Sequence, residues 1–381
     1  MLRIIRKVLI FLFVLYLALF GVTKLVRYPE PISAIRLGLA PASKTPDLMP
    51  GHWIVALPKT PTPWRMGTAE VPTQVTWDKS KISFNDFLSR THTNAFVIVR
   101  NGKITYQTYL NGKTESSRLP SYSVAKTMTS IVIGQLIDAG KIKESDTFVS
   151  ILPRFKAGTD FDRITIKDLL DMQGGIGVID NYPSGPSGWG VAIAQMYAST
   201  DLNWFLDHNR KMKDLPGTVS DYRSVDTQLL GMIITKVTGQ HIADYFTSHV
   251  WQPIGAEYDA LWNVDHKNGQ EKTFCCFNAA ARDYARVGQL LLENGGGVIS
   301  ATWIHRLSTP TVTLDHNWGY SAQIWHPYPG VNMMEGLHGQ YVYVEPKTNT
   351  VIVKLSDEPT DSGNDEVLTA AVLNEIALQQ H

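Results

Sequence analysis

Ser123-Val124-Ala125-Lys126 places a hydroxyl and an amine three residues apart where the chain turns from alternating to helical patterning. Side chains spaced this way share one helix face. A serine hydroxyl is a poor nucleophile until a neighbouring base takes its proton, and a lysine stripped of its charge is such a base. The chemistry on offer is acyl transfer through a seryl intermediate. The plainer reading makes Ser123 an N-cap and Lys126 a solvated first-turn residue.

Two further segments supply what such a pair needs. The stretch from Pro216 to Gly231 delivers Tyr222-Arg223-Ser224 by a turn just before a helical run. Gly336-Leu337-His338-Gly339-Gln340 is a Gly-bearing approach to a β-rich run.

The surrounding elements give these motifs a context. Residues 95–99 and 104–109 are β-rich and flank Asn101-Gly102, which predicts a hairpin. Apolar residues then recur at three- and four-residue steps over 124–139 until Gly140 stops them, so Ser123 falls at a helix start. Helical patterns follow at 166–172, 225–238 and 279–293; β signal returns at 318–325, 340–344 and 351–355; residues 365–378 read as a closing helix. Strands near both ends of the chain around a helical middle predict one sheet built from both ends, an α/β (α+β) domain with a mostly helical lobe.

With these three motifs in order, residues 90–380 resemble the serine β-lactamase and penicillin-binding protein superfamily. The likeness is to the branch of class C β-lactamases, carboxylesterases and 6-aminohexanoate-dimer hydrolases, and Ala279-Ala280-Ala281-Arg282-Asp283-Tyr284-Ala285-Arg286 also looks like this branch. The resemblance implies a β-lactamase/transpeptidase-like fold, with an antiparallel sheet flanked by helices. It makes Ser123 the acylated nucleophile, Lys126 its proton acceptor and Tyr222 the proton relay to the leaving group. It also implies an oxyanion hole from the backbone N–H groups of Ser123 and Gln340, with Ser224, His338 and Gly339 lining the substrate site. No cofactor or metal is called for.

Two departures bear on substrate. Ser224 stands where many members carry an asparagine, and offers no carboxamide. Leu337 stands where β-lactamases and penicillin-binding proteins carry a lysine that attracts an anionic carboxylate, which leucine cannot do. A neutral ester or short amide is therefore expected as the small-molecule substrate. The competing readings are a DD-peptidase or β-lactamase, and a non-catalytic binding or sensor protein on the same fold. The aromatic residues Trp189, Trp318, Tyr320 and Trp325 are expected near the cleft or in the core.

Composition narrows the rest. In 381 residues, 35 basic side chains balance 35 acidic ones, and no long Lys/Arg run occurs, which argues against a nucleic-acid partner. Arg3, Arg6 and Lys7 precede an unbroken apolar run over 8–22, and Lys24 and Arg27 follow it. This predicts an uncleaved signal anchor over 1–27 in the cytoplasmic (inner) membrane, with the catalytic part extracytoplasmic. Nine prolines over 28–75 resist helix, so 28–80 reads as an extended linker that then hugs the folded body, before a hydrolase domain at 81–381. Cys275 and Cys276 are adjacent; that spacing ill suits a relaxed disulfide, and the pair is expected to serve packing.

Overall fold

Strand alternation decides the architecture. In the computed structural model, which describes residues 1–57, 63–182, 188, 190–359 and 365–379, the hairpin forms from Thr93–Arg100 and Lys103–Tyr109. Its turn residues Asn101 and Gly102 both have left-handed φ, 49° and 70°, as the twist of a two-residue hairpin requires. Thr93–Arg100 pairs with Thr350–Ser356, which pairs with Gln340–Glu345, which pairs with Asn332–Gly336, all antiparallel. Shorter strands at 324–326, 319–321 and 312–313 continue the sheet on one side. A parallel strand, Arg65–Met66, closes the other edge beside Lys103–Tyr109. The result is a nine-stranded sheet drawn from both ends of the chain.

Both faces of its central strands are covered. Val97, Val99, Val342, Val344, Val351 and Val353 face the larger core with the helix Ala281–Leu292. Phe96, Ile98, Tyr341, Tyr343 and Ile352 face a second core closed by the helix Asp365–Leu378. Burial on both faces explains why these strands read as near-continuous apolar runs. Between the sheet and the helical lobe lies the central helix Ala125–Asp138, buried on nearly every side, packed against Ser224–Thr238. A 3-10 turn, Tyr122–Val124, leads into it and carries Ser123.

The N-terminal quarter departs from the proline-based expectation of an extended linker. Pro31 opens a helix, Pro31–Leu39, capped by Glu30; a proline at the first helical position loses no hydrogen bond and already has the needed φ. A 3-10 helix, Ala42–Leu48, follows, and Gly51–Ile54 adds a strand antiparallel to Ala260–Asn263 in a second, four-stranded sheet. Ser43 donates to both carboxylate oxygens of Asp357, at 2.6 Å from its N–H and 2.8 Å from its hydroxyl. The segment is part of the body. Ahead of it runs the helix Leu2–Leu25, of which 23 residues, Arg3–Leu25, are apolar enough to cross a membrane and are not buried in the protein.

The cysteine expectation also fails, since Cys275 and Cys276 are joined to each other. Cys276 has a left-handed φ of 67°, which turns the chain tightly between the two side chains. Both are buried in the larger core, so the packing role holds.

One close approach couples the sheet to the 3-10 turn. Gly336 ends its strand so near that turn that a Cβ there would lie 2.2 Å from the Ser121 carbonyl and 2.9 Å from the Ser123 nitrogen. We therefore expect Gly336→Ala to destabilise the fold by about 1–3 kcal/mol through overpacking. The same change should slow covalent labelling of Ser123. Calorimetry and a fluorophosphonate probe check both, and unchanged labelling would show that the contact does not set the turn.

Candidate functional site

The central helix brings the sequence pair together. Lys126 Nζ donates to Ser123 Oγ at 2.9 Å, to Ser224 Oγ at 2.9 Å and to the Phe274 carbonyl at 3.0 Å. Only 1% of Lys126 is exposed. Burial pushes its amine down to about 7, against the opposing pull of the Asp180 and Asp226 carboxylates.

Counting donors and acceptors fixes the direction of each bond. The Phe274 carbonyl can only accept. The Ser224 hydroxyl donates to Asp180 and so must accept from the amine. A neutral amine has two N–H groups and one lone pair, so with both donors committed the lone pair faces Ser123. The charged form has three N–H groups and can donate to all three partners. The site thus holds lysine in either protonation state without rearranging.

Tyr222 closes the group from the other side. Lys126 Nζ lies 4.8 Å from the centre of its ring. Burial pushes the phenol well above its ordinary range, opposed by a hydrogen bond with the Ser123 side chain. The ring stacks on Trp325 at 5.4 Å and meets Tyr320 edge-on at 6.1 Å. Trp318 in turn packs edge-on against Trp325. These three aromatics hold Tyr222 from behind, while Trp189 lies outside the described residues.

The third motif forms a hairpin loop beside Ser123. Gln340 opens its strand opposite Gly336, the glycine that abuts Ser123. Its side chain donates to the carbonyls of His338 (2.8 Å) and Ser356 (2.7 Å) and accepts from Ser356 N–H (3.1 Å), pinning the loop to the next strand. His338 bonds the Glu358 carbonyl through Nδ1 at 2.8 Å; a carbonyl only accepts, so Nδ1 carries the proton and Nε2 is the acceptor. Burial lowers the tendency of this imidazole to charge. Gly339 has a φ of 77°, and a Cβ there would lie 2.3 Å from Glu358 Oε2. It shapes the loop from behind, whereas Leu337 and His338 reach the cavity.

That cavity has a volume of about 210 Å³ and is lined by Ser123, Ser224, Tyr122, Leu337 and His338, with Leu37, Gly38 and Ala40 from the N-terminal segment on another wall. No acidic or lysine side chain lines it among the described residues. Sequence reading missed Asp180 and Tyr182. Asp180 accepts from Ser224 N–H at 2.9 Å, from the Ser224 hydroxyl and from the Tyr182 hydroxyl. Burial pushes this carboxyl up, opposed by Lys126 and those donors. The segment Ile179-Asp180-Asn181-Tyr182 carries no periodicity and no fixed spacing to Ser123 that would have singled it out.

Comparisons with known proteins give the family and the fold. The family model described as Beta-lactamase matches residues 88–375. A 6-aminohexanoate-dimer hydrolase of Paenarthrobacter ureafaciens is 27% identical over 299 residues, covering 71% of this chain and 74% of that protein. Among solved structures, a candidate 6-aminohexanoate-dimer hydrolase from Bacillus anthracis superposes with a TM-score of 0.78 at 24% identity, over 88% of this chain and 92% of that one. A family VIII carboxylesterase gives a TM-score of 0.59 at 19% identity, over 76% and 94%. The last two show the fold.

An amine held at about 7 is a base above that pH and an acid below it. The rate of Ser123 labelling by a fluorophosphonate should therefore rise through about pH 7. The Asp180 carboxylate favours the ammonium, so Asp180→Asn should move this rise to lower pH by about one unit. A rise that stays in place in the variant would mean that Asp180 carries no charge there.

Proposed function

Because the chain belongs to the beta-lactamase family of serine hydrolases, we propose that it cleaves neutral esters or short amides through an acyl-enzyme on Ser123. The observation that carries this reading is the 2.9 Å contact between Lys126 Nζ and Ser123 Oγ, made by an amine that burial holds near neutrality. The neutral amine takes the Ser123 proton as Oγ attacks the substrate carbonyl. The backbone N–H groups of Ser123 and Gln340 receive the negative oxygen of the tetrahedral intermediate. On its collapse the carbonyl–leaving-group bond breaks, and Tyr222 relays the proton from Lys126 to the departing alcohol or amine. Water then attacks the acyl carbonyl, its proton passes to the same amine, and Ser123 leaves with a proton restored.

The lining of the cavity supports the neutral substrate. Leu337 lines the same cavity as Ser123 and Ser224, and among the described residues no lysine lines it to draw a carboxylate. This favours an ester or amide over a cell-wall peptide or β-lactam, each of which presents an anion. The apolar helix Leu2–Leu25 serves as a single membrane anchor, its basic end on the cytoplasmic side and the hydrolase outside.

Ser123→Ala should abolish fluorophosphonate labelling and lower p-nitrophenyl ester hydrolysis by about 10³-fold or more. A folded variant that labels like the native protein would sink the proposal. Leu337→Lys should shift preference about tenfold from neutral esters toward a carboxylate-bearing chromogenic cephalosporin, measured as the ratio of the two kcat/KM values. Efficient cephalosporin turnover by the native protein would argue for the β-lactamase reading instead. Alkaline carbonate should leave the full-length chain in the membrane pellet; release into the supernatant would refute the anchor.

A further inference from the structure

Away from the cavity, three separate segments converge on one buried carboxylate. His52 sits in the N-terminal strand Gly51–Ile54, opposite Trp262. His241 follows the Gly239 cap that ends the helix Ser224–Thr238. Glu271 lies in the return after Ala260–Asn263, bridged to Val264, with only 2% of its surface exposed. One ligand atom from each falls within 4.8 Å of the other two.

The carboxylate–imidazole distances in this cluster match the separations of ligands around a small cation. Glu271 Oε1 lies 3.2 Å from His52 Nδ1 and 3.2 Å from His241 Nδ1, and Oε2 lies 3.3 Å from His241 Nδ1. Four ligands at about 2.0–2.1 Å from a tetrahedral zinc are separated from one another by about 3.3 Å. Oε1 is buried, yet it has no partner with hydrogen-bond geometry among the described residues. The same carboxylate hydrogen-bonds with His241 Nδ1 through Oε2 and stands in ion-pair range of both imidazoles through Oε1, so it needs positive charge beside it, from protonated rings or from a metal ion.

The second ring nitrogen of His52 completes the pattern. Nε2 stands 3.1 Å from Asp244 Oδ1. An imidazole that binds a metal through one nitrogen commonly donates its other N–H to a carboxylate, which fixes the tautomer and strengthens the ligand. His52 therefore has a metal-side nitrogen toward Glu271 and an outer nitrogen already held. Both imidazoles are partly exposed, with side-chain exposures of 29% and 36%, so an ion has a path in from solvent and the rings have room to rotate toward it.

We propose that His52, His241 and Glu271 form a divalent transition-metal site, suited to Zn²⁺ with water as the fourth ligand, that clamps the N-terminal strand to the helical lobe. Two imidazoles and one carboxylate are a zinc donor set. Its role is structural, since none of the three residues lines the cavity that holds Ser123. The rival occupant is the proton alone, giving an imidazolium–carboxylate cluster.

The test uses the full-length, tag-free chain in detergent, stripped with a chelator and titrated with Zn²⁺ and, separately, Co²⁺. The expected result is one Zn²⁺ retained per chain after desalting, and visible Co²⁺ bands of tetrahedral strength. Zn²⁺ should also raise Tm by several degrees. Glu271→Gln and the His52→Ala/His241→Ala pair should each weaken Zn²⁺ binding by about 100-fold or more, and Asp244→Asn by about 10-fold or more. Ester hydrolysis by the metal-free variants should match that of the metal-free native protein, which separates this site from the catalytic reading. The proposal is overturned if the native chain retains no more Zn²⁺ than the double variant, or if Co²⁺ keeps the pale spectrum of its aqua ion. Either result would assign the cluster to protons alone.

Discussion

Removing one lysine amine from water is the constraint on which the rest of this structure depends. Lys126 has a full shell of protein around it, and the desolvation of its charge is what brings it down to about 7. Two carboxylates, Asp180 and Asp226, work against that burial. Had the opposing pull won, the amine would stay an ammonium and could not accept the Ser123 proton. Had there been no opposing charge, the protonated state that the proposed cycle needs later would be costly. A general base works best when its pKa lies near the operating pH, and this balance between burial and nearby carboxylates suits Lys126 to the role proposed for it.

Keeping water away from Lys126 requires large elements on every side. The central helix supplies the lysine and is itself buried all round, which is why its sequence is apolar on more than one face. The helix Ser224–Thr238 brings Ser224, and the chain around Phe274 brings a carbonyl, so both N–H bonds of a neutral amine find acceptors. The nine-stranded sheet contributes Gly336 and Gln340 at the point where one strand presses against the turn that carries Ser123. The aromatic group of Tyr320, Trp325 and Trp318 belongs to the second core, and it holds Tyr222 over the amine. Elements from both cores therefore meet around Lys126.

What was legible in the sequence and what was not divide along physical lines. Ser123 and Lys126 are close because a helix makes residues three apart neighbours, and periodicity showed that helix. The hairpin of Thr93–Arg100 and Lys103–Tyr109 was legible because Asn101-Gly102 suits its turn. Asp180 was not, because it reaches Ser224 from an irregular segment whose path is set by packing. The helix Pro31–Leu39 was hidden by proline counting, which ignores that the first position of a helix tolerates proline. The joined cysteines were missed for a similar reason, since a general rule about spacing overlooked the local turn at Cys276. His52, His241 and Glu271 lie so far apart along the chain that no ligand spacing could reveal them.

The corrected N-terminal segment changes how the hydrolase domain is bounded. Leu37, Gly38 and Ala40 belong to the stretch that follows the membrane-compatible helix, yet they wall the cavity that also contains Ser123. The strand Gly51–Ile54 then completes a sheet edge, and Asn263 Nδ2 donates to the carbonyls of Pro46 at 3.0 Å and Met49 at 3.2 Å. A flexible tether would leave the active site unchanged if it were cut away. This segment would not, because its removal opens one apolar wall of the cavity to water and exposes the edge of Ala260–Asn263. Solvent admitted there would reach the surroundings of Lys126, and the desolvation that tunes the amine would weaken. The path from the apolar helix Leu2–Leu25 to Ser123 is thus one continuous structure, in which the residues that follow that helix also help to keep water from the cavity.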